Sequence, residues 1–389
     1  MNKQQMIIRM VMRICSYILV AVLASCATLF LFEGSRAQDK LDELRELINN
    51  CFVGEVTDTQ LNDGAAAGMI VATGDKWSYY IPASEYASHM EQVENEYVGI
   101  GVTVSAEKDE RGFKILAVDP KGGAYEAGIQ VGDVIHTVAG EGALQVGLDK
   151  TKENIRGDAY TKVEIVVYRS GQWLTFDVMR KRIEVTVAKG EMLPDSIGLV
   201  TIANFDERCA DETQNAIESL VKQGAKAIIF DVRFNPGGFK KELVKVLDYL
   251  LPEGPIFRSV SYTGEETVTQ SDADCLEIPM AVLINSSSYS AAEFFAAALS
   301  EYDKAIVVGE ATTGKSYFQN TFRLSDGSAV ALSVGEYCTP NGVSLADEGG
   351  LKPDVEVLVD EEMLSSIYAG LLEPEKDPQI QAAVAALQQ

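Results

Sequence analysis

A cluster of serines in the second half of the chain has the residue types and the position that nucleophilic catalysis requires. The segment SSSYSAAE, residues 286–293, places four serines in five positions directly before an apolar helical pattern, AAEFFAAAL. Serine is a favoured N-cap, so helix capping accounts for one of these hydroxyls. A hydroxyl at a helix start would also gain the positive field of the helix and a neighbouring backbone N–H that could stabilise an oxyanion. The residues alone leave four candidate nucleophiles.

A serine nucleophile needs a base, and the chain has only two histidines. His136 lies in an apolar strand-like run, and His89 lies in a pattern typical of a surface helix. Lys315, in TTGKSYF, stands among small and aromatic neighbours, and burial would favour its neutral amine, which could accept the serine proton. Gln319, four residues later, could orient that amine. On residue chemistry alone, an exposed loop charge is the simpler interpretation of Lys315.

A glycine loop supplies a third chemical element. NPGG, residues 235–238, follows the buried strand pattern AIIFDV and precedes a helical pattern. Gly237 and Gly238 leave backbone N–H groups bare and able to approach a substrate oxygen, and the helix adds a positive field. The loop is an oxyanion-hole candidate, although a tight turn after a strand would also favour Pro-Gly-Gly.

The elements that position these loops are typical of an α/β fold. From residue 184 onward, strand and helix patterns alternate, which implies βαβ units on a mostly parallel sheet. The serine, lysine and glycine segments each follow a strand pattern, at the sheet edge where ligands of α/β proteins collect. A late antiparallel pair, YFQNTFRL and AVALSVGEYCTP, is expected to close on the turn Ser325-Asp326-Gly327.

Residues 97–182 have a different pattern, in which short strands alternate with glycine turns. A strand, the segment AGIQVGDVI, a helix end at IRG and a hairpin follow one another. This order resembles a PDZ domain of the bacterial kind, which binds an extended peptide at a sheet edge. The resemblance implies that the loop Gly99-Ile100-Gly101-Val102 takes the terminal carboxylate of the peptide. It also implicates Arg156, in IRG, in coupling this domain to the catalytic site.

Several ordered motifs together resemble the carboxyl-terminal processing peptidases, also called tail-specific proteases. NSSSYSAAEFFAAALSEYDKAIVVGEATTGKSYFQ is similar to the Ser-Lys active-site region of that family, and NPGG to its oxyanion loop. The resemblance extends from about residue 39 to the end, through GDKWSYYIPASEY, YVGIGV and DPQIQAAVAAL. Departures from the family pattern are Tyr289, Ala292 and Ser316. Tyr289 stands beside the nucleophile and puts the shape of the substrate pocket in doubt.

The resemblance assigns the chemistry residue by residue. It implies that Ser290 is the nucleophile, Lys315 the base and Gln319 the residue that orients the base. The implied oxyanion donors are the N–H of Gly237 or Gly238 together with that of Ala291. No cofactor and no metal site is expected.

The implied fold class is α/β, with a crotonase- and ClpP-like βαβ protease core, an inserted PDZ domain and a helical N-terminal region. Five segments are expected: a cytoplasmic stub with a membrane anchor or signal (1–37), the N-terminal helical region (38–95), the PDZ domain (96–183), the Ser-Lys peptidase core (184–360) and a C-terminal helical tail (361–389).

The N-terminal sequence predicts export. A basic start without acidic residues precedes an uncharged stretch from Ile14 to Phe32, which is long enough to span a bilayer as a helix. An uncleaved anchor fits the length best, and cleavage after Ala37 or lipidation at Cys26 are the alternatives. All three place residue 38 onward outside the cytoplasm. We therefore predict a single-pass protein of the bacterial cell membrane, with lipoprotein and secreted forms left open.

Composition narrows the possible partners. The formal net charge of -25 at pH 7 repels a phosphate backbone, so nucleic acid is not expected as a partner. Four cysteines lie outside the apolar segment, far apart and without neighbouring histidines, which indicates buried free thiols and no metal site. They are Cys51, Cys209, Cys275 and Cys338. The sequence leaves homo-oligomerisation open.

Together these features predict a serine endopeptidase that binds protein or peptide substrates with a free C-terminus and cleaves near that end. The family resemblance adds an expected preference for an apolar residue before the scissile bond. One alternative is a catalytically silent PDZ scaffold, against which the intact set of serine, lysine and glutamine counts. The other is a crotonase-like acyl-transfer enzyme, against which the PDZ region and the export signal count.

Overall fold

The structure is a computed structural model that describes residues 12, 16–25 and 40–388. The chain divides into two units, residues 1–75 and residues 76–389. In the first unit, residues 16–25 are helical, and α1 (residues 40–51) is followed by α2 (Asp58–Val71). Within the described part of the chain, no helix has the length and apolar content that a bilayer span requires. Of the predicted anchor, residues 14–32, the structure describes residues 16–25, and the remaining nine residues lie outside the described part of the chain.

The second unit contains its elements in the following order. The first group is β1 (Tyr79–Ile81), α3 (Ala83–Val93), β2 (Glu96–Gly99), β3 (Val102–Asp109), β4 (Gly112–Val118), α4 (Gly123–Ala127), β5 (Val134–Val138), β6 (Glu141–Gly142), α5 (Ala143–Val146), α6 (Leu148–Ile155), β7 (Lys162–Arg169), β8 (Gln172–Met179) and β9 (Lys181–Glu184). The second group is β10 (Ala188–Leu193), β11 (Ile197–Ile202), α7 (Cys209–Lys222), β12 (Ala227–Asp231), α8 (Lys240–Leu250), β13 (Gly254–Ser261), β14 (Glu266–Ser271), β15 (Met280–Ile284), α9 (Ala291–Glu301), β16 (Ala305–Gly309), β17 (Tyr317–Arg323), β18 (Ala329–Cys338), β19 (Val355–Glu356), α10 (Glu361–Tyr368) and α11 (Pro378–Leu387).

The central sheet is mostly parallel, as the alternating pattern predicts. Its strand order is β10-β11-β12-β15-β16-β19, and β10 runs antiparallel to β11 while the later pairs are parallel. Successive side chains of a strand point to opposite faces. Ile228 and Phe230 of β12 therefore pack with α7, α8 and α9, whereas Ala227 and Ile229 pack with α11. Burial on both faces explains why these strands are continuously apolar.

An antiparallel sheet has the order β1-β18-β13-β14, and β17 pairs with the same β18. The predicted late pair is confirmed, with residues 325–327 between β17 and β18. The sequence pattern does not predict β1, in which Tyr79–Ile81 pair with β18. Its three residues are too few to carry a periodic signal, and tertiary pairing decides their conformation.

Residues 96–184, called the insert from here on, have a hydrophobic core of their own. Strands β2 and β9 pair where the chain enters and leaves the insert. Between them lies a sheet of order β3-β4-β5-β7-β8, with β6 on β5. Ile115, Ile135 and Ile165 are buried in this core, which is separate from the two cores of the central sheet. Strand β3 is the last strand on one edge.

The four cysteines of the described range are free thiols, as predicted. Only Cys209 is fully buried, and burial raises the pKa of its thiol to about 12. The expectation of general burial was therefore wrong for the other three. His136 lies on strand β5 as predicted, with its Nδ1 atom 2.7 Å from the carbonyl oxygen of Arg111.

Candidate active site

Ser290 stands at the junction of a strand and a helix at the carboxyl edge of the central sheet. It is the N-cap of α9 and follows β15 by six positions. Its backbone has φ 59° and ψ -124°, a conformation that is costly for a residue with a side chain. Its N–H donates to the carboxylate of Glu293 at 2.8 Å. The turn and the helix start together fix the direction in which the Ser290 side chain leaves the backbone.

The serines before it build the loop. Ser288 is fully buried, and its hydroxyl donates to the carbonyl oxygen of Val232 at 2.8 Å. The same hydroxyl accepts the N–H of Asn285 at 3.1 Å. Ser286 and Ser287 are exposed. Ser288 therefore ties the serine loop to the end of β12, a role that its buried hydroxyl explains.

A buried carboxylate joins the serine loop to the lysine loop. Glu293 is fully buried and accepts the N–H groups of Ser290 and Lys315, each at 2.8 Å. It also accepts the N–H of Gly314 at 2.6 Å and the hydroxyl of Thr312. One side chain thereby sets the distance between two loops. The sequence does not predict this role, because its one signal there is the S-x-x-E spacing of a capping box, which does not indicate a contact with the lysine loop.

Lys315 lies against two aromatic rings. Its Nζ is 4.8 Å from the ring centroid of Trp77 and 5.7 Å from that of Tyr289. The two rings stack with their centroids 5.9 Å apart. Cation–π contacts of this kind hold the lysine side chain beside the serine loop. Tyr289, which departs from the family pattern, is therefore part of the lysine environment.

One cavity of about 800 Å³ contains the three predicted catalytic residues. Ser290, Lys315 and Gln319 all line it, as does Gly238. Gln319 lies on β17, and its amide nitrogen donates to the hydroxyl of Ser333 at 2.9 Å. The fold thus brings together residues that are separated by up to 29 positions (290 to 319) in the chain.

His89 lines the same cavity, which corrects the expectation that it is a surface residue. It lies on α3, is half-buried, and its ring makes an edge contact with Tyr79 at 6.1 Å between centroids. The helix pattern was right, but the sequence alone did not indicate which element α3 would face. A histidine is therefore present in the wall of the site.

The NPGG loop is held by its own asparagine and packs against the turn of Ser290. The Asn235 side chain accepts the N–H of Gly237 at 2.8 Å, and the Asn235 carbonyl accepts the N–H of Tyr289 at 3.1 Å. Gly237 has φ 93°, and a Cβ atom there would lie 2.8 Å from the Cβ of Ser290 and 2.9 Å from the nitrogen of Ala291. Only glycine allows this approach.

A buried ion-pair network anchors the start of that loop. The Arg233 guanidinium pairs with Asp231 at 2.6 Å and with Asp377 at 2.8 Å, and it donates to the side chain of Gln379 at 2.9 Å. Burial lowers the pKa of Arg233, but the two carboxylates outweigh this effect and leave the pKa raised. Asp377 also caps α11. The motif DPQI, residues 377–380, belongs to the C-terminal stretch that resembles the family, and the sequence does not predict its contact with Arg233.

The predicted peptide-binding loop belongs to the insert. Gly99 ends β2, Ile100 is buried, and Val102 begins β3. The Ile100 carbonyl accepts the N–H of Ala124 at 2.9 Å. Gly101 has φ 78°. The cavity around Ser290 is lined by other residues.

Arg156 is exposed at the end of α6 and also stands apart from the cavity lining. Its positive charge acts on the phenol of Tyr97 in β2, although burial and the charge of Asp119 keep the pKa of Tyr97 raised. Arg156 therefore faces the strand that leads into the glycine loop.

Comparison with known proteins assigns the family. The model of peptidase family S41 matches residues 196–357. The carboxy-terminal processing protease CtpA of Bacillus subtilis is 32% identical over 356 residues, which are 87% of this chain and 75% of that protein. The chain belongs to peptidase family S41. It is a serine-type carboxyl-terminal processing peptidase, as the motifs predicted, and neither alternative from the sequence is needed.

Further relatives agree. A "Probable CtpA-like serine protease" of Staphylococcus aureus (strain MRSA252) is 29% identical over 325 residues, covering 82% of this peptidase and 64% of its own length. The solved structure of an S41 protease from Bacteroides fragilis superposes with a TM-score of 0.53 at 16% identity, covering 86% of this chain and 92% of that one. This likeness supports the mixed α/β fold of S41 proteases.

Proposed function

We propose that this peptidase cuts its substrates with Ser290 as nucleophile and Lys315 as general base. The observation that carries the proposal is the hydrogen bonding of Glu293, which holds the N–H of Ser290 and the N–H of Lys315 on one buried carboxylate. A nucleophile and its base must keep a fixed separation, and a shared backbone anchor provides it. Gln319, in the same cavity, orients the lysine.

The proposed reaction has two halves. The Ser290 hydroxyl oxygen attacks the scissile carbonyl carbon while its proton passes to the neutral amine of Lys315. The carbon–nitrogen bond then breaks, and Lys315 gives that proton to the departing amine. Water attacks the resulting ester and leaves its proton on Lys315, and cleavage of the ester returns the proton to Ser290.

The oxyanion donors in this proposal are the N–H groups of Gly238 and Ala291. Across the described residues, neither of these N–H groups has a hydrogen-bond acceptor within the protein. The N–H of Gly237 already donates to Asn235, so of the two predicted glycines the donor is Gly238. Gly237 instead allows the close approach of the loop to Ser290.

We also propose that the insert is a PDZ domain that selects substrates by their free C-terminus, with the segment boundaries expected from the sequence. Within the described part of the chain, its edge strand β3 pairs with a strand on one side only, which would leave the other side to an extended peptide. The loop from Gly99 to Val102 stands at the start of that strand and would take the carboxylate. Arg156, whose charge acts on Tyr97 of the preceding strand β2, would couple occupancy to catalysis.

The catalytic unit is proposed to act outside the cytoplasm, held by the N-terminal apolar segment. The basic flank and the uncharged stretch from Ile14 to Phe32 support this location. The intact mass of the mature chain from membranes tests it. A mass that includes residue 1 supports the anchor, whereas a lipid adduct on Cys26 or a start after Ala37 replaces it with another exported form.

Proteolysis of an unfolded test protein with a free apolar C-terminus tests the mechanism. We expect Ser290→Ala and Lys315→Met to lose more than about 10⁴ in kcat, and the exposed-loop control Ser287→Ala to cut like wild type. Lys315→Met that retains activity, with His89→Gln losing it, would move the base to His89. A C-terminally amidated substrate should be cut more slowly. Equal rates would remove carboxylate capture from the recognition step.

A further inference from the structure

The cavity around Ser290 holds a lysine that the proposed reaction does not use. Lys240, the first residue of α8, lines the cavity together with Ser290 and Lys315. Across the described residues it forms no ion pair, whereas the adjacent Lys241 pairs with Glu207. Burial alone lowers the pKa of the Lys240 ammonium. Among the described residues, an acidic protein thus presents a cation without an ion-pair partner in the cavity that its proposed nucleophile lines.

Aromatic rings form the wall beside this cation. The Nζ of Lys240 is 5.0 Å from the ring centroid of Phe257 and 5.8 Å from that of Tyr337. Tyr337 stacks on Phe318 with centroids 4.4 Å apart, and both of these residues line the cavity. The ammonium group of Lys240 therefore lies over these rings, and because the residue is exposed, a ligand in the cavity can reach it.

Few acidic side chains in the cavity could pair with Lys240 in place of a substrate carboxylate. Of the described residues that line the cavity, Asp206 is the one that carries a carboxylate. Burial, and to a smaller extent the charge of Glu207, raises the pKa of Asp206 to about 7, so that it is mostly neutral in mildly acidic solution. A carboxylate arriving with the substrate would therefore meet an ammonium group that lacks a fixed counter-charge.

We propose that Lys240 is a specificity-determining residue that binds a carboxylate of the substrate close to the scissile bond. The inference rests on the function proposed above, because it takes this cavity as the place of cleavage. Lys240 follows Gly238, the proposed oxyanion donor, by two residues, and it opens a helix whose N-terminal field also favours an anion. The expected preference for an apolar residue before the scissile bond would then give way to a preference for a negative charge near that bond.

Two substrate groups share this chemistry. The carboxylate belongs either to an Asp or Glu side chain next to the scissile bond or to the free C-terminus of a substrate cut very close to its end. Matched peptides separate them. In the first pair, one peptide has Glu and the other has Gln next to the cleaved bond. In the second pair, one peptide has a free C-terminus and the other an amidated C-terminus.

Cleavage of both pairs is measured with wild type, Lys240→Met, Lys240→Arg and, as a control on the same helix outside the cavity, Lys245→Met. Wild type should prefer the carboxylate member of one pair by about tenfold in kcat/KM, the equivalent of one favourable charge contact. Lys240→Met should abolish that preference, while Lys240→Arg and Lys245→Met keep it. The pair that responds identifies the source of the carboxylate. If Lys240→Met keeps both ratios, the inference is wrong.

Binding of the same peptides to Ser290→Ala, measured by calorimetry, gives a readout that needs no turnover. The ratio of the Kd values of the two peptides in a pair should favour the carboxylate peptide when position 240 is Lys or Arg and not when it is Met. This result supports the inference even where cleavage is slow. If the protein that keeps Lys240 binds both members of each pair equally well, while the wild-type enzyme cuts normally, only the role of Lys240 is overturned. Full activity of Ser290→Ala would overturn the proposed function instead. Thermal melting of each variant confirms that the compared proteins are folded.

Discussion

Two glycine loops of this peptidase present backbone N–H groups next to a strand, yet they are held in different ways. The NPGG loop is fixed by the buried side chains of Asn235 and Arg233, and Gly237 touches the turn of Ser290. The loop from Gly99 to Val102 is held by backbone hydrogen bonds. In one of them the carbonyl oxygen of Gly101 accepts the N–H of Asp119 at 2.8 Å. The difference fits the two tasks that we propose for these loops. Stabilising an oxyanion needs donors at one fixed point, whereas adding a peptide strand needs an open edge.

Among the changes that test this comparison, the largest expected effect comes from a methyl group on the NPGG loop. Gly237→Ala would place a Cβ atom within 3 Å of Ser290 and Ala291, in a backbone conformation that strains any side chain. Displacement of the loop should lower kcat by about 10²–10³ with little change in KM, the cost of losing an oxyanion donor. Single-turnover kinetics measures this. An unchanged kcat would show that the loop does not contact the reacting group.

The shared carboxylate should matter nearly as much. Glu293→Gln turns one of two accepting oxygens into an amide nitrogen that faces N–H groups of the serine and lysine loops. We expect a loss of about 2–4 kcal/mol in the free energy of unfolding, because a buried hydrogen-bond network is broken. The activity of the remaining folded protein should also fall. Denaturant unfolding with parallel activity assays tests both, and an active, equally stable variant would contradict the linking role.

A glycine-to-alanine change in the loop of the insert should weaken recognition of the substrate's C-terminal carboxylate. Gly101→Ala would bring a Cβ atom to 2.8 Å from Gly122 at φ 78°. We expect the ratio of kcat/KM for free-acid over amidated substrate to fall by up to about tenfold, with kcat at saturation preserved. A fall in kcat that equals the effect of Gly237→Ala would erase the distinction between the two loops.

The smallest effect concerns Asp206, whose pKa is raised to about 7 chiefly by burial. Between about pH 4 and pH 7, the unfolded chain releases a proton that the folded protein keeps, so the free energy of unfolding falls as pH rises and levels above 7. Asp206→Asn should remove this slope and be roughly 1–3 kcal/mol more stable than wild type at pH 8. Melting curves from pH 4 to 8 test this, and parallel pH profiles for both proteins would refute it.

Much of the fold could be predicted from the sequence because its signals are local. The buried strand MAVLI and the helix after it are long enough to carry a period, and the turn before β18 has its own residue signature. Strand β1 has three residues and depends on its partner β18. Tertiary pairing decides such segments, and no window of sequence contains the partner.

The candidate site divides in the same way. Ser290, Lys315 and Gln319 stand in ordered motifs that the sequence displays. Glu293, Trp77 and Lys240 reach the site through contacts between segments far apart in the chain, and their residue types fit a helix, a turn or a surface equally well. Asp377 is 144 positions from Arg233, and nothing near either residue indicates the other. Functional residues that stand together in one motif can be predicted from the sequence, whereas those that tertiary packing brings together cannot.

The backbone of Ser290 bears on the choice of an inactive variant. At φ 59° and ψ -124°, glycine suffers none of the steric cost that serine or alanine carries, a difference of about 1–3 kcal/mol. Ser290→Gly should therefore melt at a higher temperature than Ser290→Ala, despite the flexibility that glycine adds to the unfolded chain. Such a variant would be the better trap for crystallising an uncut substrate. Its extra stability would measure what the enzyme gives up in order to hold a hydroxyl at this turn.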